Sequence, residues 1–343
     1  MPLTSRESDI LAVIVEEYIS TGHPVGSRTV SKKCHLKLSA ATMRNVMADL
    51  KDRGFLEQPH ASAGSAPTAR AFRFYVDSLL TLRPPEEHEQ RLITSQLGAA
   101  GGAIDDVLRK ASSLVSSLSS SLSMVATPLQ DNVRLKNVDF VLIGPKRVMA
   151  VLVLQGGMIQ ERLVTTEEDL EAGELVRYGN YLNELLEDLT VQEALARILR
   201  ELKDVSHGLS SLTRRALSLA RELMENHSPP ELFIDGASRI LQHPEFSDVQ
   251  AMRHLLAFLE ERSRLLDLLS RTMSQKGVNI TLGRESEVDG LEDFGLITSP
   301  YRISENPAGF IAVFGPLRMD YAKVVPVVDY TAQVLTGLLM QRL

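Results

Sequence analysis

The stretch SAATMRNVMADL, residues 39–50, has the spacing of a helix with one apolar face: Met43, Val46, Met47 and Leu50 fall at i, i+3, i+4 and i+7. Ser39 stands where an N-cap belongs, and the helix it opens is predicted to end at Gly54. The opposite side carries Ala41, Arg44, Asn45 and Ala48, with Thr42 at its flank. A helix that enters the major groove of DNA needs hydrogen-bond donors in its N-terminal half and short side chains that let its backbone approach the bases. Thr42, Arg44 and Asn45 supply the donors, and Ala41 and Ala48 supply the room. Asp49 lies toward the other end and is placed to pair with Arg53 one turn on.

The flanking sequence extends this pattern. Upstream, Thr4-Ser5-Arg6-Glu7 reads as a capping box, and Ile10, Leu11, Ile14, Val15, Tyr18 and Ile19 keep helical spacing until Gly22 and Pro24 break it. Ser27 is expected to cap a short helix, RTVSKKC, followed by a turn at 36–38. Ser27, Arg28, Thr29 and Lys32 are suited to anchor phosphates, which gives affinity and orientation without reading sequence. Downstream, FLEQPHASAGSAPT starts with strand-like Phe55–Glu57 and passes through small residues as a hairpin loop would; His60, Ser65 and, just beyond it, Arg70 are further candidate contacts. Thr68 then caps another helix. Three helices with a short middle one, followed by a hairpin, is the order of a winged helix-turn-helix. A protein-interaction module could share that order, and the donor-bearing face is what favours DNA.

Charge supports the same region. Over the whole chain of 343 residues the net charge is −7, yet residues 28–53 hold seven basic and two acidic side chains. Composition is that of an ordinary globular protein, and the length predicts two or three domains. A single cysteine, Cys34, excludes an intramolecular disulfide framework and any multi-cysteine metal site. No signal-peptide pattern opens the chain, and the longest apolar run, VMAVLVL at 148–154, falls far short of the roughly 20 residues that span a bilayer. A cytoplasmic protein without membrane association is expected. Enzyme signatures are missing: no P-loop, H-E-x-x-H, G-x-G-x-x-G after a strand, or G-x-S-x-G occurs. His207, His227, His243 and His254 lack metal-ligand spacing.

Beyond a linker at 83–89, RPPEEHE, the residues 104–126 are predicted to form one helix, with Leu108, Leu114, Leu118, Leu122 and Val125 on its apolar face. Strands follow at 137–143, 148–154 and 158–164 as an antiparallel meander. From 167 to 272 the pattern is almost wholly helical, interrupted by a strand in ELFIDGA, 231–237. Strands return at 278–282, 294–298 and 309–314, and a last helix runs over 321–343 with an irregularity expected at Pro326. FGPLRMDY, 314–321, reads as a strand, a tight turn and a helix start. Sheet, helices, then sheet again is the order an insertion within one α+β domain produces.

Four stretches together resemble the heat-inducible transcription repressors of the HrcA family: VEEYISTGHPVGSRTVS (15–31), LSAATMRNVMADLKDRGFLEQPHASAG (38–64), PTARAFRFYVD (67–77) and FGPLRMDYAKVVPVVDY (314–330). The resemblance implies an α+β multidomain chain: a winged helix over 1–80, a GAF-like domain over 81–166 and 273–343, and an inserted dimerisation domain over 167–272. It implies a homodimer that binds an inverted-repeat operator in double-stranded DNA, represses chaperone genes, is released on heat stress and is modulated by the chaperonin. The recognition helix would be Ser39–Asp52 and the wing roughly Phe55–Pro67. One position departs from the family: the wing usually reads SAGRxPT, and here it reads SAGSAPT, so Ser65 replaces a basic residue, with Arg70 the candidate to compensate. GAF folds often hold small ligands, which leaves a metabolite-gated regulator as the alternative. The sequence offers no convergent polar set for one, and no cofactor is expected.

Overall fold

The computed structural model describes residues 3–35, 39–60, 63–101, 103–127, 134–155, 159–166, 168–204, 211–225, 231–247, 249–261, 265–266, 268–269, 277–288, 291–303 and 306–341. The turn expected at 36–38 lies outside these residues, as do His207, His227 and the end of the helical stretch at 270–272.

The N-terminal unit is built by local signals. Helix α1, Ser5–Thr21, opens on the Thr4/Glu7 capping box and closes at Gly22, whose left-handed backbone (φ 69°) lets its N–H reach the Tyr18 carbonyl. Helix α2, Ser27–Lys33, is capped differently from the expectation: the extended residue before it is Gly26, which has no side-chain cap, and Ser27 is already helical. The cause lies in tertiary pairing. Val25 and Ser65 exchange backbone hydrogen bonds at 2.8 and 2.9 Å, so the chain stays extended through Val25 and turns only at Gly26. Helix α3, Ala40–Asp52, starts as predicted, with the Ser39 hydroxyl accepting from the Thr42 N–H at 3.1 Å. Strands β1, Leu56–Glu57, and β2, Ala66–Pro67, form an antiparallel hairpin, and Thr68 caps α4, Ala69–Phe74, which continues as a π-helical turn over Tyr75–Leu79.

Helices α5, Glu87–Gly98, and α6, Ile104–Ser119, lead into a five-stranded antiparallel sheet. Its strands are β3 (Leu122–Ala126), β7 (Leu232–Asp235), β8 (Asn279–Leu282), β9 (Phe294–Ile303) and β10 (Asn306–Pro316), in the order β7-β3-β10-β9-β8. The single helix expected over 104–126 is therefore two elements: Ser120 adopts a left-handed conformation (φ 53°) that ends α6, and Leu122 and Val125 belong to a strand. One face of the sheet, with Val125, Ile297, Ile311 and Val313, packs under α5, α6 and the last helix, which spans Tyr321–Gln341 and is called α12 here. The other face, with Leu122, Met124, Phe310 and Phe314, meets Ile240 of α10 (Ala237–Ile240), Leu255 and Phe258 of α11 (Val249–Glu260), and Leu265 and Leu269.

The meander stands apart from that sheet. Strands β4 (Leu135–Gly144), β5 (Arg147–Leu154) and β6 (Ile159–Thr165) form their own three-stranded sheet. Its inner residues Val138, Val148, Leu152 and Val164 share a core with Leu182 of α7 (Ala172–Leu186), Ile198 of α8 (Val191–Asp204) and Leu223 of α9 (Ser211–Glu225). The division expected between 166 and 167 falls inside this one core.

Candidate nucleic-acid interface

Helix α3 separates its two faces cleanly. Met43 and Leu50 are fully buried and Val46 and Met47 nearly so, in one core with Ile10, Leu11 and Ile14 of α1. Ala41, Arg44, Asn45 and Ala48 are exposed on the other side, and Thr42 is half-buried with its hydroxyl 3.0 Å from that of Ser39. Helix α2 packs against α3 and exposes Arg28 and Lys32, one turn apart, while Ser27 and Thr29 are half-buried. These residues thus come from two packed helices.

The electrostatic arrangement is selective. Lys33 pairs with Glu17, Arg53 with Glu7 at 2.9 Å, and Arg73 with Asp77 at 2.6 Å. Arg53, expected to pair with Asp49, in this way ties the end of α3 to the start of α1. Hydrogen bonds from Thr4, together with Arg53, hold the Glu7 carboxyl below the usual range. Among the described residues, Arg28, Lys32 and Arg44 take part in no ion pair. The cations Arg28, Lys32 and Arg44 therefore lie exposed on two packed helices, Arg44 on the same side of α3 as the short side chains, and a polyanion would find charge there.

The hairpin is fixed at its base. Gly64 lies so close to the neighbouring chain that a Cβ there would sit 2.6 Å from the Val25 carbonyl carbon and oxygen. Ser65, bonded through its own backbone to Val25, is half-buried. Arg70 is committed elsewhere: its guanidinium lies 4.7 Å over the Phe55 ring and donates to the Arg53 carbonyl at 3.0 Å, at the C-terminal end of α3. His60 is exposed and its carbonyl accepts from the Ala63 N–H at 2.9 Å; residues 61 and 62 of the loop lie outside the described residues. Two residues that sequence reasoning missed orient the hairpin. Lys51 of α3 donates to the Gln58 side chain at 3.1 Å, and Gln58 donates to the Ala63 carbonyl at 3.0 Å. This chain of contacts links three segments, so no local spacing announces it.

Known proteins place the chain. Residues 105–325 match the family described as HrcA protein C terminal domain. A heat-inducible transcription repressor HrcA of Nitratidesulfovibrio vulgaris (strain Miyazaki F) is 44% identical over 344 residues, covering 99% of this chain and 97% of the relative. The repressor of the same name from Geobacter sulfurreducens is 41% identical, with 98% of both chains covered. A crystal structure described only as that of a hypothetical protein shares the fold over 100% of both chains, with a TM-score of 0.61 and 23% identity. No helix among the described residues is long and apolar enough to cross a membrane. With a family match over most of its length and relatives aligned nearly end to end, the chain belongs to the HrcA family of heat-inducible transcription repressors.

Proposed function

We propose that the protein represses heat-shock genes as a homodimer bound to an inverted-repeat operator. Helices α1–α3 and the β1–β2 hairpin act as a winged helix-turn-helix, with α3 in the major groove, α2 on the phosphates and the hairpin as the wing. The observation that carries this reading is the set of exposed cations Arg28 and Lys32 on α2 and Arg44 on α3, in no ion pair among the described residues, with Ala41 and Ala48 exposed on the same side of α3 as Arg44. No catalytic role is assigned.

The five-stranded sheet with helices on both faces serves as a GAF-like domain over about 81–127 and 231–341. The separate core of β4–β6 and α7–α9 favours an inserted unit at 134–225, earlier at both ends than the sequence suggested. That unit is the dimerisation domain. The outer face of its sheet exposes Val141, Ile143, Ile159 and Leu163, an apolar surface suited to a second copy. Heat releases the repressor from DNA and the chaperonin restores it. The relatives are named for heat induction, which favours this reading over metabolite gating.

A mobility-shift titration on DNA upstream of chaperone genes, before and after heating, tests the function. Binding lost on heating and absent from unrelated DNA is the expected result. Equal retention on both DNAs at matched salt would refute it.

A further inference from the structure

The motif FGPLRMDY, 314–321, closes the junction between the N-terminal unit and the five-stranded sheet. Arg318, in the turn between β10 and α12, lies over Gly22, so that a Cβ on Gly22 would stand 3.4 Å from its Cζ. The guanidinium is thus held at the C-terminal end of α1, where the helix dipole favours a cation. It also pairs fork to fork with Glu245, through Nε to Oε1 and through Nη2 to Oε2 at 3.2 Å. Glu245 belongs to the turn Pro244–Ser247, which leads into α11 on the far face of the sheet. One side chain therefore joins the N-terminal unit, the sheet and its covering layer. It is well shielded, with side-chain exposures of 15% for Arg318 and 25% for Glu245.

Two further contacts brace the same junction. Tyr321 donates to the Leu317 carbonyl at 2.7 Å, and its ring packs 6.4 Å from that of Phe72 in α4. Arg73, next to Phe72, donates to the Ile280 carbonyl of β8 at 2.8 Å and reaches Glu285 at 3.3 Å. The N-terminal unit is clamped onto the sheet by these groups as well as joined to it by the linker.

We propose that Arg318 is a positioning residue that fixes the angle of the α3-bearing unit on the sheet and so sets which separation of operator half-sites the dimer accepts. This rests on the operator reading above. Each base pair added between half-sites turns the second one by about 35° and moves it by about 3.4 Å. Only a stiff joint converts that geometry into one preferred spacing. A lysine keeps the charge at 318 but loses the planar fork that grips both carboxylate oxygens.

The test is a set of inverted repeats whose spacer is shortened or lengthened by one and two base pairs, titrated at fixed salt, with the dimer checked by sedimentation. The wild-type protein is expected to show one sharp optimum. R318A binds that optimum roughly tenfold more weakly while losing little on the shifted repeats, which flattens the profile. R318K falls between them, and the charge swap R318E/E245R recovers part of the preference. E245Q, which leaves Arg318 over Gly22, guards against misfolding of R318A and flattens the profile by a smaller amount. A folded, dimeric R318A with the wild-type profile overturns the proposal, whatever its overall affinity. If R318A does not fold, a wild-type profile in folded, dimeric E245Q overturns it. Failure of the wild-type protein to bind any repeat refutes the operator reading instead.

Discussion

Arg44 stands on the exposed side of α3, in no ion pair among the described residues, in the half of the helix that would face base edges. R44A is expected to weaken operator binding by about 1–3 kcal/mol if the guanidinium grips a base, and to relax preference at that base pair. A folded R44A that binds as the wild type does in a salt-controlled titration removes Arg44 from the interface. Tyr75 makes a different kind of prediction. Its hydroxyl is pushed up to about 12, first by burial and then by the carboxylates of Glu16 and Asp320. The fold holds the protonated form, so this stabilisation is intact below the ordinary value of 10.0 and is lost as pH rises from there through about 12. Chemical denaturation at pH values of about 9 and 11 reads it out. Y75F should lose less stability across that interval than the wild type, although Tyr18 and Tyr321, raised by burial in the same way, leave part of the loss in place.

For α3 as an element, the cap decides how well its N-terminal end, the end proposed to read DNA, is ordered. S39A removes the acceptor for the Thr42 N–H and should cost about 1 kcal/mol of stability, fraying the turn that presents Thr42, Arg44 and Asn45. Aspartate caps as well as serine and suits the helix dipole, yet it sets a carboxylate against any phosphate nearby. S39D should therefore keep the melting temperature and still bind the operator more weakly; unaltered binding at unaltered stability would take Ser39 off the DNA-facing surface. The face of α3 was legible because its stripe and its donors sit within four helical turns of one segment. Strand β3 was not. Leu122, Met124 and Val125 are buried on both sides of the sheet, so the strand lacks the polar alternation that marks a one-sided strand, and its leucine and valine continue the helical spacing of α6 by coincidence. The clamps at the junction were beyond reach for another reason: Arg318 and Glu245 are 73 residues apart, and Arg73 and Ile280 are 207 apart. Sequence spacing carries no record of such contacts, whereas the family motif FGPLRMDY marked one end of the first.

For the whole molecule, the proposed dimer would form through the outer face of the β4-β5-β6 sheet. Val141, Met149 and Leu163 stand in one cross-strand row, and Val153 and Ile159 form another at the same face. Ile159 is 64% exposed, Leu163 56% and Val141 48%, and the row between them carries the exposed carboxylates Asp139 and Glu161, so the aliphatic surface lies in two patches on one face. A second copy related by a two-fold axis would bring the same rows together, and a two-fold dimer would match an inverted repeat. L163E places a charge in the row with Val141 and Met149, where pairing of two copies would bury both carboxylates without partners. Since Leu163 points away from the core beneath the sheet, the fold itself should tolerate the change. Sedimentation is expected to show a monomer with an unchanged circular dichroism spectrum. Operator affinity should then fall roughly a hundredfold to ten-thousandfold, because the second half-site no longer benefits from the high effective concentration that linkage to the first provides. Binding to an isolated half-site should be unaltered, which separates loss of assembly from damage to α3. An L163E protein that stays dimeric would move the dimer contact to another surface of the chain.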